Sequence, residues 1–400
     1  MMDKLPLENI HDILSRLSVK SLARLRCVSK RWSKYINDPY FEIKHAKRTS
    51  NAAMRIMFHR RPFFIPTTDA PCTLTFLEYK YEQGDNCTLK VTKKPPVLMK
   101  FMCRDLCYRY NIILGSCNGL LYSSKYHRDG NNLVVIHPLR NECYQVLPPI
   151  KSPFCLERRN SVKLVDESTG LGFDESTNTF KMVSIKVRKQ ITVSPNLHVK
   201  EDACVMVHVL GTDSWRRIPQ LPSYRASGEG VFANGCLHWL SRNEHFDPYH
   251  PYKGTKLISF DVANEEFGLI NPPQGRGSYQ WSLEQLVDLH GEIGYVYRVG
   301  RNTEVWVMKE RGWVMHCEFK NKAPVSYGPI FILGFWNEYG DILFKDYQKR
   351  MFVYGLNSKS FYQVMFDDWE EGSDIDIRLY QTSLSSTRYA IKRRYATGVL

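Results

Sequence analysis

Asn234-Gly235-Cys236-Leu237-His238-Trp239-Leu240 sets an Asn-Gly pair directly before a short apolar run, a strong local signal for a tight turn that opens a strand. The device recurs at Asn118-Gly119-Leu120-Leu121, His290-Gly291-Glu292-Ile293 and Tyr339-Gly340-Asp341-Ile342. Gly119, Gly235, Gly291 and Gly340 lie 116, 56 and 49 residues apart, and the first gap is nearly twice the second, so it holds one further unit. Several short strands repeating every ~50 residues predict the blades of a propeller.

A second device follows the first. An apolar strand, a polar turn and an aromatic residue opening the next strand recur from Pro138 to Tyr144, Asp174 to Phe180, Val209 to Trp215, Asp261 to Phe267, Val307 to Trp313 and Gly355 to Phe361. The turns hold Asn141, Asn178, Asp213, Asn264, Gly312 and Ser358, residue types that accept hairpin dihedrals. Strands are predicted at Leu133 to Ile136, Met182 to Val187, Cys204 to Leu210, Val305 to Met308 and Met351 to Tyr354. Five units fit between residues 112 and 366, and residues 52–111 with Ile375 to Leu379 would complete a sixth by pairing the two ends of the domain. A lone four-stranded sheet has two faces to bury and two edges to protect; radial stacking, with the entering aromatics packed between blades, answers both needs.

Before residue 52 the period changes. Ile10, Ile13, Leu14 and Leu17 recur at helical spacing, and Leu22, Leu25, Val28 and Trp32 do so again. The chain therefore divides into a helical module over residues 1–48, a linker with the first strands over 49–111, the propeller-like domain over 112–385 and a basic tail over 386–400. The fold class is α+β, a small helical module ahead of an all-β domain of about six blades.

The 400 residues are 43% hydrophobic and 24% charged, which excludes wholesale disorder. Lys+Arg exceed Asp+Glu by 55 to 41, and the resulting +14 favours an acidic or phosphorylated partner. Eleven cysteines without a CxxC pair point to a reducing compartment, cytosol or nucleus. Apolar runs such as Phe331 to Phe335 fall far short of the ~20 residues that span a bilayer, so no membrane partner is expected.

A helical segment this short cannot bury an adequate core alone, since chains below about 40 residues usually need a metal, a disulfide or a partner. Yet it carries Leu5, Ile10, Ile13, Leu14, Leu17, Leu22, Leu25, Cys27, Val28, Trp32, Ile36 and Phe41, an apolar surplus that implies a partner surface.

Leu5-Pro6, the Ile10 to Leu17 helix, the run Ser21-Leu22-Ala23-Arg24-Leu25-Arg26-Cys27-Val28-Ser29-Lys30-Arg31-Trp32 and the trailing Asn37-Asp38-Pro39-Tyr40-Phe41 resemble an F-box. Gly115-Ser116-Cys117-Asn118-Gly119-Leu120-Leu121, Gly172-Phe173-Asp174 with Phe180-Lys181-Met182-Val183, Asp213-Ser214-Trp215-Arg216 and Asn234 to Leu240 resemble the F-box-associated domain of plant F-box proteins. The resemblance implies a module that docks on the Skp-type adaptor of a cullin and RING ubiquitin ligase, while the β domain selects the protein to be ubiquitinated. It implies adaptor contact by Leu5, Pro6, Ile10, Ile13, Leu14, Cys27 and Val28, with Leu17, Leu22, Leu25 and Trp32 as candidate internal core. Target contact is expected from loops 152–168, 188–202, 221–230 and 241–254, the last bearing Phe246, Tyr249, His250 and Tyr252.

Two rival classes compete with this reading. Lys20, Arg24, Arg26, Lys30, Arg31 and Lys34 on a helical stretch are the alternative reading, a basic nucleic-acid-binding module beside a propeller; the run lacks the Asn and Gln types that read base edges. His245, Asp247 and His250 could hold a metal but lack a fourth ligand, and read as ordinary surface. No nucleophile elbow, Walker loop, zincin helix or dinucleotide turn is present, Cys103 and Cys107 have no histidine partner, and Lys392-Arg393-Arg394 is too short to specify nuclear targeting. No enzyme activity and no cofactor are expected.

Overall fold

The computed structural model describes residues 6–17, 19–36, 38, 41, 45, 55–60, 73–77, 79–83, 88–93, 112–125, 132–137, 142–146, 162–192, 198–241, 255–276, 282–366 and 375–380. Three helices lead: α1 (Leu7–Ser15), α2 (Val19–Val28) and α3 (Lys30–Ile36). Pro6 caps α1 without spending a donor, its carbonyl accepting from the N–H groups of Asn9 and Ile10, and Ser29 Oγ caps α3 by accepting from Trp32 N–H at 3.1 Å.

Four short strands follow, β1 (Arg55–Arg60), β2 (Thr73–Leu77), β3 (Tyr79–Gln83) and β4 (Thr88–Lys93). The first blade is β5 (Ile112–Cys117), β6 (Leu120–Lys125), β7 (Asn132–His137) and β8 (Glu142–Val146). The second is β9 (Val162–Asp174), β10 (Thr179–Thr192), β11 (His198–Val209) and β12 (Trp215–Ile218), the unit that fills the wide glycine gap. The third is β13 (Ala226–Ala233), β14 (Cys236–Ser241), β15 (Leu257–Asp261) and β16 (Glu266–Ile270), and the fourth β17 (Ser282–Leu289), β18 (Glu292–Val299), β19 (Asn302–Lys309) and β20 (Gly312–Lys320). The fifth is β21 (Ile330–Phe335), β22 (Ile342–Asp346), β23 (Met351–Gly355) and β24 (Ser360–Phe366). Each is an antiparallel meander.

The ends pair as the sequence predicts. β25 (Ile375–Tyr380) runs antiparallel to β1, Ile56 opposite Leu379, and β2 adds to the other side of β1. The sixth blade does not take all of residues 52–111: β4 pairs in parallel with β24 and β3 follows it, so this pair extends the fifth sheet. That placement covers the β24 edge.

Turn chemistry follows from backbone sterics. Asn118-Gly119, Asn234-Gly235 and His290-Gly291 all have positive φ at both residues, the requirement of a type I′ hairpin. In the turn from Asp261 to Phe267 the left-handed residue is Glu265 (φ 60°), one position after the expected Asn264, and in the last hairpin it is Lys359 (φ 52°) rather than Ser358. The Glu265 carboxylate is tied to Lys181 and Arg216, which offsets its backbone cost.

The cores lie between consecutive blades, which is why one blade could not stand alone. Tyr122 and Val135 of the first blade pack with Phe173, Phe180 and Met182 of the second. Val183 and Val205 of the second meet Trp239 and Phe260 of the third, Leu257 of the third meets Tyr295 of the fourth, and Val305 and Phe319 of the fourth meet Phe344 and Phe361 of the fifth. Phe180, Phe267, Trp313 and Phe361, aromatics that open strands, all join these clusters. His238 and Trp239 are strand packing, both buried, with His238 pushed down to about 4 by burial.

Trp239 also fixes two glycines. A Cβ on Gly230 would stand 2.8 Å from its Cε2 and Cζ2, and one on Gly170 would stand 2.8 Å from Leu237 Cδ2 and 3.0 Å from Trp239 Cζ2. Gly230→Ala is therefore expected to cost about 1–3 kcal/mol by overpacking, read as a lower urea midpoint of the full chain. An unchanged midpoint would show that the indole can shift aside.

Candidate functional site

In the helical module Ile10, Leu14, Leu22, Ile36 and Phe41 are buried together, with Leu17, Leu25, Trp32 and Tyr35 packed against them. Phe41 lies 5.4 Å from the His11 ring, and His45 Nε2 lies 3.0 Å from the Leu17 carbonyl oxygen, closing the far side of the cluster. Burial lowers the His45 pKa, opposed by that backbone bond.

This sorts the expected adaptor residues. Pro6, Ile13, Cys27 and Val28 are exposed, Ile13 at 45% and Val28 at 71%. Ile10 and Leu14, expected at the adaptor surface, are buried in the internal core, alongside the expected core residues Leu17, Leu22, Leu25 and Trp32. Helical spacing alone cannot separate these roles, because a stripe wide enough for both a core and a partner has no marked edge. Leu7, exposed at 48%, belongs with the outward set; its place in the first turn after Pro6 was the signal for it. Leu5 lies outside the described residues.

Four of the basic residues of the alternative reading are solvated, while Arg26 is half-buried. Arg24, Lys30, Arg31 and Lys34 are exposed, and Arg31 is engaged within its own helix, Nε donating to Tyr35 Oη at 2.9 Å.

In the β domain, β5, β13, β17, β21 and β25 gather around one cavity of about 580 Å³. Side-chain bonds tie neighbouring blades around it. Arg378 Nη1 donates to the Leu114 carbonyl at 3.2 Å and Tyr380 Oη to Gly119 at 2.8 Å, stapling the sixth blade to the first. Gln285 grips Ile332, donating to its carbonyl at 2.7 Å and accepting from its N–H at 3.0 Å, and Asn234 N–H donates to Gly291 O at 3.0 Å. Outside the cavity, Lys181 Nζ joins the second and third blades through Asp174 (3.0 Å), Glu265 (2.9 Å) and the Val262 carbonyl (2.8 Å).

The cavity wall carries charges of both signs, segregated by blade. Glu229 and Asp288 stand on the third and fourth, Lys345 and Arg378 on the fifth and sixth. Burial raises the Asp288 carboxyl to about 6, opposed by the Gly291 N–H that donates to it at 2.6 Å. Burial, then the Asp288 charge, raises the Cys117 thiol well above its usual range, which keeps it in the protonated form.

Residues 2–44 match the F-box domain family, and residues 66–384 match the family described as F-box associated beta propeller domain. The chain belongs to the F-box-associated β-propeller family. Relatives of this F-box protein in Arabidopsis thaliana include the F-box/kelch-repeat protein At3g23880, 26% identical over 90% of this chain and 89% of the relative. F-box protein DOR is 26% identical over 78% of this chain and 74% of its own length. Among solved structures, YjhT aligns over 66% of this chain and 91% of its own at 10% identity and a TM-score of 0.37, too distant to bear on function.

Phe246, Tyr249, His250 and Tyr252, the expected target contacts, and the His245, Asp247 and His250 grouping all lie outside the described residues. Among the described residues no group of three or more His, Cys, Asp or Glu side chains is placed to hold a metal, and no helix is long and apolar enough to cross a membrane.

Proposed function

We propose that this F-box protein is the substrate-receptor subunit of an SCF-type ubiquitin ligase: the helical module binds a Skp-type adaptor, and through it cullin and RING subunits, while the propeller holds the target. The observation that carries the reading is the outward apolar set Leu7, Ile13 and Val28 on a module whose own core is already closed by Ile10, Leu14, Leu22, Ile36 and Phe41. Exposed side chains of this size on so small a surface gain about 1.5–3 kcal/mol each when a partner covers them.

The chain itself performs no chemistry in this reading. It raises the effective concentration of a bound target beside the charged ubiquitin carrier, and transfer belongs to other subunits. Cytosol and nucleus are the compartments that fit.

Affinity capture tests it. The full chain is expected to recover adaptor and cullin together with target proteins, and a copy lacking residues 1–45 to lose adaptor and cullin while keeping targets. Recovery of cullin by the shortened copy would overturn the assignment of the module.

A further inference from the structure

We propose that the connector from the fourth blade to the fifth, residues 321–329, roofs an enclosed site for a small inorganic anion of chloride size, held by Arg298, Thr303, Asn321 and Ser326. The site shares no residue with the axial cavity and does not depend on the receptor reading.

The hairpin of β18 and β19 brings the first two residues together. Arg298 and Thr303 are antiparallel partners, so their side chains share the face of the fourth blade that turns Val305 and Phe319 toward the fifth. Asn321 follows two residues after Phe319, its N–H donating to the Arg301 carbonyl at 2.9 Å. The connector then folds back over this end: Val325 joins the core shared by the two blades, and Arg298 Nη2 donates to the Tyr327 carbonyl at 3.1 Å. Five side-chain atoms here are sealed from solvent without a hydrogen-bond partner in the protein, namely Arg298 Nη1, Thr303 Oγ1, Asn321 Nδ2 and Oδ1, and Ser326 Oγ. Arg298 is 5% exposed, Thr303 0% and Asn321 1%. Buried polar atoms are almost always bonded, so five in one place call for an occupant.

Their chemistry sets its sign. Arg298 Nη1 and Asn321 Nδ2 only donate, the Thr303 and Ser326 hydroxyls can donate, and Asn321 Oδ1 alone is restricted to accepting. The Arg298 guanidinium also donates to the Gly300 carbonyl at 3.0 Å, but carbonyls do not neutralise a cation, and among the described residues no carboxylate pairs with it. Burial lowers its pKa with no acidic neighbour opposing the shift, yet a guanidinium stays charged at ordinary pH. A buried charge without a counter-charge is costly. Glu304 alternates to the opposite face, where it is bonded to Arg276, and Asp346 of the fifth blade is matched by Arg350, whose Nη2 also donates to the Pro324 carbonyl. Arg301, over the Tyr327 ring at 3.8 Å, and the exposed Lys322 add positive charge at the rim. Enclosure sets the size: with all five atoms out of solvent, the occupant is an ion that can be sealed in, not an anionic group carried on a target chain.

Hydrogen exchange read by mass spectrometry on the full chain, in sodium chloride or sodium gluconate at equal ionic strength, tests the site. Chloride is expected to slow exchange in peptides covering 321–329 at least about fivefold, saturably and with the second and third blades unchanged, the factor given by a ligand at about four times its dissociation constant. Arg298→Met is expected to abolish the effect. Thr303→Val, which deletes one donor and keeps the shape, is expected to raise the half-saturating chloride concentration at least about threefold, and it decides the matter if Arg298→Met does not fold. Crystals grown in bromide are expected to show its anomalous signal beside Arg298. Equal exchange in the two salts, a slowing spread over all blades or retained in both variants, or water alone beside Arg298 in the bromide crystals overturns the proposal.

Discussion

Lys181→Met is expected to lower the unfolding free energy of the full chain by about 3–5 kcal/mol at pH 7, the usual cost of removing one member of a buried ion group. The Lys181 side chain is 8% exposed and Asp174 1%, so the Asp174 carboxylate left behind could not recover its lost partner from bulk water, whereas Glu265, 14% exposed, keeps Arg216. Burial alone would raise the Asp174 pKa; the hydrogen bonds from Ser176, Thr177 and Lys181 override it and hold the carboxyl well below its usual range. Glu265 behaves likewise, burial opposed by Arg216 and Lys181, with a net lowering. A depressed carboxyl contributes stability that is present above its unfolded value and lost as pH falls toward the folded one. The gap between wild type and Lys181→Met is therefore widest near neutrality and narrows below the ordinary values of 3.8 and 4.5 for these two groups. Urea unfolding followed by tryptophan fluorescence at pH 7 and pH 3.5 measures both. A loss under ~1 kcal/mol at pH 7 would place the group in the energetic class of exposed pairs. The double variant Lys181→Met with Asp174→Asn should cost less than the two single costs added, because it also removes the buried charge that Lys181→Met strands.

That ion group marks the boundary of what can be read from the chain itself. Asp174 and Asp261 were legible as hairpin residues, since an aspartate that accepts N–H groups two and three positions ahead is a local device; Asp174 does so from Ser176 and Thr177, Asp261 from Ala263 and Asn264. The link from Lys181 to the third blade spans 81 residues and has no local signature. The left-handed Glu265 stayed hidden for the same reason: its conformation is held by partners on the second blade. Pairing of the two ends was legible because residues 52–111 and the apolar Ile375 to Leu379 are left over once five units are drawn; that β1, and not β3 or β4, takes β25 was not. The axial cavity was not legible. Gln285, Glu229 and Asp288 read singly as polar positions on ordinary strands, and only ring closure brings them onto one wall. In the helical module the apolar stripe announced that a partner was needed, but Ile10 and Ile13 look alike in a helical pattern and only packing separates the buried from the exposed.

That separation yields the sharpest test of adaptor docking. Ile13→Asp is expected to weaken adaptor binding by more than about 100-fold while the chain stays folded, and Val28→Asp to do the same. Each change forfeits about 1.5–3 kcal/mol of apolar transfer, and it buries a carboxylate whose desolvation costs several kcal/mol more, whereas 2.8 kcal/mol already corresponds to about 100-fold. Because both side chains face solvent in the free chain, helicity and urea midpoint should match wild type. Leu14→Asp provides the contrast. It places a carboxylate among Ile10, Leu22, Ile36 and Phe41, so it should lose adaptor binding together with helical signal, and Leu14→Ala should cost about 2–5 kcal/mol in the module. Titration calorimetry with purified adaptor and far-ultraviolet circular dichroism on the same samples distinguish the two cases. If Ile13→Asp and Val28→Asp bind like wild type, the exposed apolar set is not the adaptor surface, however well the module folds; if they bind weakly only where helicity is also lost, the exposed and buried residues act as one core and the outward surface has no docking role of its own.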